Sequence, residues 1–317
     1  MQEVWQLLAG TLQMNPMLAT NAEISKLKFP LIIQPKIDGV RGWNPKGELL
    51  GRSMEPHANL FTTATFSGDC FAGLDGELVV GDATDDSVCR ATTSKLSRIT
   101  GDPYVTWHLF DFVTRETFFL PYIQRLGALV THVNNLRGRN GIAYDRLTVN
   151  PWQVVDNLKQ LYNLEDYFVS KGYEGIILRD PQGVWRSGKC TPSSNALLRI
   201  KRFEDREGKI FAIYEGQINN NPPTYGANGK TKRSTHAENM EASGTIGSLA
   251  VRDLETGKVV TISKGKLTGN ECLRYFQQPK LIIGRVCTYR IFPRGGVSKP
   301  RFPTFRNFRA GSDMEKP

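Results

Sequence analysis

No apolar run in the chain approaches the length of a membrane span, and no segment repeats another. A helix that crosses a bilayer needs about 20 predominantly apolar residues, so no helical span is expected. The 5 cysteines, Cys70, Cys89, Cys190, Cys272 and Cys287, are widely scattered and form no C-x-x-C pair. That spacing argues against a structural zinc site, and an odd count suits reduced thiols better than a disulfide framework. Coiled-coil heptads are missing too. The segment Met1 to Gly10 has no basic start before its apolar residues, so it does not read as a secretory signal, and the cytosol is the expected compartment. Positive charge, by contrast, is in excess: 41 Lys and Arg stand against 31 Asp and Glu, a net charge of +10. Such a balance favours a polyanionic partner through salt-dependent, sequence-independent attraction. The basic residues gather locally at Arg199, Lys201 and Arg202, at Lys230, Lys232 and Arg233, and at Arg301, Arg306 and Arg309.

With 317 residues and a hydrophobic fraction of 39%, the chain has material for one large or two ordinary packed domains. Val4 to Ala9 has helical apolar spacing, closed off by Asn15-Pro16. Runs at Leu31–Ile33, Leu49–Leu50, Leu74–Val80, Val105–Val113 and Ile176–Leu178 read as strands bounded by Gly, Pro or Asp. Helices are predicted over Tyr122–Val133, through Ile123, Leu126, Val130 and Val133, and over Asp156–Lys171, with Gly172 as the stop. After Phe203 the texture changes. Ile210–Tyr214, Ser248–Val251, Val259–Ile262 and Val286–Ile291 predict short strands with little helical periodicity, the pattern of a small barrel or sandwich. Between Gly216 and Gly247 a long polar stretch, with Asn219-Asn220-Asn221-Pro222-Pro223 and Lys230-Thr231-Lys232-Arg233, is expected to be a loop.

Chemistry concentrates at Lys36-Ile37-Asp38-Gly39-Val40-Arg41, directly after an apolar run. A desolvated lysine near other cations loses its proton more readily, and the neutral amine is a nucleophile. Arg41 keeps its charge and offers a fork suited to phosphate oxygens or ribose hydroxyls. Charged residues also mark later strand ends: Glu77 in Leu74-Asp75-Gly76-Glu77, the carboxylate in Phe110-Asp111-Phe112, and Glu174 and Arg179 around Ile176-Ile177-Leu178. In Leu197-Leu198-Arg199-Ile200-Lys201 the two basic side chains share one face of a strand. Each alone could be an edge charge, a core pair or a hairpin end.

As an ordered set these segments resemble motifs I, III, IIIa, IV and V of the covalent nucleotidyltransferases. The chain looks most like a small two-domain ATP-dependent DNA ligase of the bacteriophage and bacterial type. Pro16-Met17-Leu18-Ala19, Pro35 and the segment Lys299 to Arg309 extend the resemblance towards both ends. It implies an α+β fold: an adenylation domain of nucleotidyltransferase (ATP-grasp-like) architecture over residues 1–203, then a small all-β OB-fold domain over 204–317. It also implies roles. Lys36 would attack the α-phosphate of ATP, and Arg199 and Lys201 would meet that phosphate, Lys201 as a catalytic residue. Arg41 and Glu77 would hold the ribose, Phe110 would stack on adenine, and Gln34 would meet the base edge. Arg52, in Gly51-Arg52-Ser53, would contact phosphate, and Arg309 the departing pyrophosphate. Glu174 would help hold Mg²⁺ or Mn²⁺. Lys230, Lys232 and Arg233 would touch DNA, with nicked duplex DNA as the partner, a monomer as the working unit, and a bacterial or phage-infected cytosol as the location. Two positions depart from the family pattern. Arg199 stands where motif V usually opens with lysine, and Ala310-Gly311-Ser312-Asp313 follows Arg309 where Asp-Lys is common. A capping guanylyltransferase, an RNA ligase or a non-catalytic nucleic-acid-binding relative would share part of this pattern. An NAD-dependent ligase would bring a cysteine cluster that this chain lacks.

Overall fold

The computed structural model describes residues 14–137, 141, 143–293 and 300–309. The expected helix at Val4–Ala9, the residue Lys299 and the segment Ala310 to Asp313 lie outside the described residues. By contact the chain divides into two units: Met1–Lys201 with Tyr225–Lys230, and Arg202–Thr224 with Thr231–Pro317.

The first unit contains β1 (Thr20–Asn21), β2 (Leu31–Lys36), β3 (Val40–Trp43), β4 (Leu74–Val80), β5 (Val105–Phe112), β6 (Leu147–Val149), β7 (Gln153–Val155), β8 (Gly175–Arg179) and β9 (Leu198–Lys201). They form two sheets, in the orders β1-β9-β8-β2-β7 and β3-β4-β5-β6. Period-2 alternation along β2 serves a separate core on each face. Leu31 and Ile33 pack with Leu161, Leu164 and Phe168. Ile32 joins the other core, with Leu78, Trp107, Leu126 and Leu129. Gln34 and Lys36 therefore leave the strand on the face of Ile32.

Helices α1 (Leu60–Thr65), α2 (Val88–Leu96), α3 (Tyr122–Arg137) and α4 (Leu158–Ser170) cover these sheets. In α3 the residues Tyr122, Leu126, Leu129, Val133 and Leu136 are buried, a 3.6-residue stripe. At the start of α4 the Asn157 side chain accepts a hydrogen bond from Gln160 N at 3.0 Å, satisfying one of the free amides of the first turn. Beyond its end Gly172 sits at φ +93°, where a Cβ would be strained. Leu49–Leu50, expected as a strand, contributes isolated bridges only, Leu50 pairing with Trp43 and Pro56.

The second unit holds β10 (Glu204–Asn219), β11 (Pro223–Tyr225), β12 (Thr231–Arg233), β13 (Met240–Asp253), β14 (Val259–Ser263), β15 (Val286–Phe292) and β16 (Arg301–Phe308), with the β11–β12 turn counted among the contacts of the first. Five of these strands close into a barrel in the order β10-β13-β14-β16-β15. Ile210, Leu249, Val251, Ile262, Tyr289 and Phe305 fill it. Among the described residues one α-helix, α5 (Gly269–Gln277), interrupts the run of strands. Its capping box, Thr268 with Glu271, is a sequence signal that the all-β reading passed over.

The polar stretch expected as a loop is largely strand. β10 and β13 stay paired out to Asn219 opposite Met240, and β11 pairs with β12. Its glue is polar, which hides it from a hydrophobicity pattern. Asn221 is buried, and its Nδ2 reaches Ser234 O and His236 O, both at 3.0 Å. Asn219 Nδ2 donates to Ser234 O at 2.8 Å.

Candidate active site

Sheet register brings the first group together. Lys36, at the end of β2, pairs with Gly175 of β8, which in turn pairs with Lys201 of β9. Glu174 lies one residue before that row, its backbone amide donating to Lys36 O at 3.1 Å. The Glu174 side chain is buried, and its two oxygens divide the cations: Oε2 accepts from Lys36 Nζ and Oε1 from Lys201 Nζ. Burial first, and the neighbouring Lys36 charge second, hold the Lys201 pKa below its usual value, with Glu174 opposing both. Gly175 adopts φ +154°, and a Cβ there would overlap Ile200 O, so the Glu-Gly step is needed for β9 to approach this closely.

The second group is carried by the other sheet. Arg41 on β3 stands opposite Glu77 on β4 and forms a bidentate pair with Asp75, at 2.6 Å from Nε and 2.5 Å from Nη2. Its guanidinium lies 4.7 Å from the centre of the Phe110 ring. Burial pushes the Glu77 carboxyl up to about 7, against the lowering effects of Lys36 and Arg41. Gly39 is required by space: a Cβ would overlap Leu78 O and stand 2.8 Å from Glu77 Cγ.

A third, fully buried group braces the cleft. Asp111 accepts from Arg125 Nε at 2.8 Å and from Arg179 Nη1 at 2.9 Å. Burial alone would raise the Asp111 pKa, but the two guanidinium groups hold it below the usual carboxylate range. The Tyr122 hydroxyl lies 2.9 Å from Gln34 Oε1 and 2.8 Å from Phe110 O.

These residues surround a cavity of about 370 Å³. Of the residues expected from sequence, Gln34, Lys36, Arg41, Arg52, Glu77, Phe110 and Arg199 line it. Lys201 and Glu174 are tied to its edge through the Lys36 pair. Arg199 Nε donates to Asn21 Oδ1 at 2.9 Å. Arg309 belongs to the second unit, where it pairs with Glu207 at 2.7 Å. Lys230 is counted by contact with the first unit, Lys232 and Arg233 with the second, and all three are exposed. Asp75, Arg179 and Asn150 were not singled out as site residues. Asp75 carried a signal, since it stands two residues before Glu77 and so shares its strand face. Asn150, a polar residue after a short apolar strand, carried none.

The described residues hold no cluster of three or more His, Cys, Asp or Glu side chains able to cage a metal. One buried carboxylate tied to the cavity edge through Lys36 is nonetheless a donor that suits Mg²⁺, which keeps water and substrate oxygens as its other ligands. Among the described residues no helix is long and apolar enough to cross a membrane.

The profile of the family described as the ATP dependent DNA ligase domain matches residues 16–201. No curated protein matches the chain. Among solved structures, the chain resembles the Chlorella virus DNA ligase-adenylate, at 23% identity and TM-score 0.51 over 93% of this chain and 99% of that one. It also resembles a Lig E DNA ligase described as binding DNA with a minimal scaffold, at 21% identity and TM-score 0.63, again over 93% and 99%. A third structure, named Pmar-Lig, aligns over 98% of this chain and 72% of its own length at 18% identity and TM-score 0.69. At these identities the likenesses speak for the fold, an adenylation domain followed by an OB barrel.

Proposed function

The chain belongs to the ATP-dependent DNA ligase family, and from that premise we propose that it seals nicks in duplex DNA through an AMP adduct on Lys36. The observation that carries this reading is the Glu174 carboxylate shared between Lys36 and Lys201 at the edge of a nucleotide-sized cavity. Ligation through an adenylate needs a nucleophile, a cation on the non-bridging oxygens and a means of removing the proton of the nucleophile. Lys36 supplies the first, Lys201 and Arg199 the second, and Glu174 is placed to receive the ammonium proton.

In the first step Lys36 Nζ, having lost a proton, forms a bond to the α-phosphorus as the bond to the β-phosphate oxygen breaks, and pyrophosphate leaves with that electron pair. Phe110 stacks on adenine and Gln34 meets its edge. Arg41, held flat by Asp75, and Glu77 take the ribose hydroxyls. Arg52 contacts phosphate, and Arg309, once free of Glu207, orients the pyrophosphate. In the second step a 5′-phosphate oxygen of the nick displaces Lys36 from phosphorus, and Lys36 regains its proton. In the third, the 3′-hydroxyl attacks that 5′-phosphate, AMP departs and the strand is closed. Glu174 would hold a divalent metal, Mg²⁺ or Mn²⁺, which when bound supplies charge neutralisation at the phosphate oxygens.

We assign adenylation to residues 1–203 and the OB barrel to 204–317, acting as a monomer in the cytosol of a bacterium or of a phage-infected cell. Lys230, Lys232 and Arg233, exposed around β12, would meet the DNA backbone. Incubation with α-labelled ATP and Mg²⁺, followed by unlabelled nicked duplex, tests the proposal. Label that enters the protein and is then released as a nick is sealed supports it. Label from GTP instead, or discharge on nicked RNA alone, would replace it with a sister activity.

A further inference from the structure

Two buried amide side chains in the wall of the nucleotide cavity each keep one polar atom without a partner: Asn150 Oδ1 and Gln34 Nε2. Asn150 is 3% exposed and Gln34 1% exposed. A buried polar atom left unpaired is costly, so two in one cavity call for a ligand that pairs them.

The chemistry of Asn150 is fixed by its other contacts. Asn150 follows β6, and its backbone amide donates to Leu109 O at 2.7 Å. Its Nδ2 donates to Pro35 O at 3.1 Å. A carbonyl oxygen only accepts, so the Asn150 amide cannot be turned round, and Oδ1 is left as an acceptor. Gln34 stands 2.9 Å from the Tyr122 hydroxyl, whose single proton also serves Phe110 O at 2.8 Å, so the Gln34 amide fits either way round, accepting that proton or donating to the hydroxyl oxygen. The cavity wall thus offers an acceptor on Asn150, whose backbone is held beside the Phe110 strand through Leu109.

Adenine matches this acceptor and guanine opposes it. Adenine carries an amino donor at position 6 beside the unprotonated ring nitrogen N1, whereas guanine carries an oxygen acceptor at 6 and a proton on N1. We propose that Asn150 is a specificity-determining residue: its Oδ1 accepts from the 6-amino group of adenine. Guanine in the same place would set its 6-oxygen against Asn150 Oδ1, leaving both buried acceptors unsatisfied. The assignment rests on the cavity being the adenylate site proposed above, and deepens it by naming what rejects the other purine.

The test separates the two ideas by using nucleotides that cannot react. AMP, GMP and purine riboside 5′-monophosphate, which lacks only the 6-amino group, are bound to the full-length protein and to Asn150→Ala, and the affinities are measured by calorimetry. The wild type should bind AMP about 10- to 100-fold more tightly than the 6-deamino analogue. In Asn150→Ala the two should bind within about threefold of each other, because the group that reads the amine is gone. Equal affinity of the wild type for AMP and the analogue would overturn the assignment without any variant being needed. A uniform loss of affinity for both nucleotides in Asn150→Ala, with their ratio kept, would overturn it too, reducing Asn150 to a packing role. Labelling with α-labelled ATP is run in parallel. Amine-selective binding with no label would leave Asn150 assigned while removing the ligase chemistry, and label with no amine selectivity would do the reverse.

Discussion

At the scale of single residues, the site is a set of carboxylates each assigned to cations by burial. Glu174 neutralises two lysines at once, so its loss leaves two ammonium groups facing each other and removes the acceptor for the Lys36 proton. Glu174→Ala should slow self-adenylylation by at least about 100-fold, the scale expected when a charged group at a phosphoryl-transfer centre is removed. Rates within threefold of wild type would dismiss it from the chemistry. Glu77 makes the pH prediction. Its pKa of about 7 lies well above the ordinary carboxylate value, so near neutrality it is only partly ionised. The ionised form is the stronger acceptor for a ribose hydroxyl, so kcat/KM for AMP loading should rise from pH 6 to 8 with an apparent pKa near 7. Glu77→Gln should flatten that rise, and a rise that persists in the variant would belong to another group. Linkage has the opposite sign for the free protein. The folded state favours protonated Glu77, so this group's contribution to stability falls as pH rises from about 4.3 through 7.

At the scale of elements, the alternation of β2 explains why a core strand ends in chemistry: one face feeds the α4 core, and the other carries Ile32, Gln34 and Lys36 towards the β3–β4–β5 sheet. That alternation, the α3 and α4 stripes and the Lys36, Glu77 and Glu174 positions were legible because apolar period and charge at strand ends leave a mark in sequence. The β11–β12 hairpin was not, because asparagine side chains and backbone carbonyls hold it rather than apolar packing. Nor was the partnership of Asp111 with Arg125 and Arg179, since these residues lie far apart in sequence and only α3 and β8 bring them to β5. Replacing Lys230, Lys232 and Arg233 together by alanine should weaken binding to nicked DNA and lower the slope of log K against log salt by up to about 3. Self-adenylylation should stay unchanged. An unaltered salt slope, measured by fluorescence titration, would take the hairpin off the DNA.

For the whole molecule, charge acts in two opposed ways. The net charge of +10 favours a polyanion over a long range, while the buried Asp111–Arg125–Arg179 group holds the first unit together at short range. With its pKa depressed, Asp111 contributes stability above its unfolded value of about 4, and that contribution is lost as pH falls through the folded value. Asp111→Ala leaves two buried guanidinium groups without their carboxylate and should cost about 3–5 kcal/mol in denaturant unfolding at pH 7. A cost below about 1 kcal/mol would show that water or rearrangement replaces the pair. Of the two lysines on Glu174, Lys36 is the one proposed to carry the nucleotide. The most direct measurement is mass spectrometry of proteolytic peptides after incubation with ATP and Mg²⁺. AMP is expected on the peptide that contains Lys36 and none on the peptide that contains Lys201. AMP on Lys201, or on a lysine outside the cavity, would contradict it.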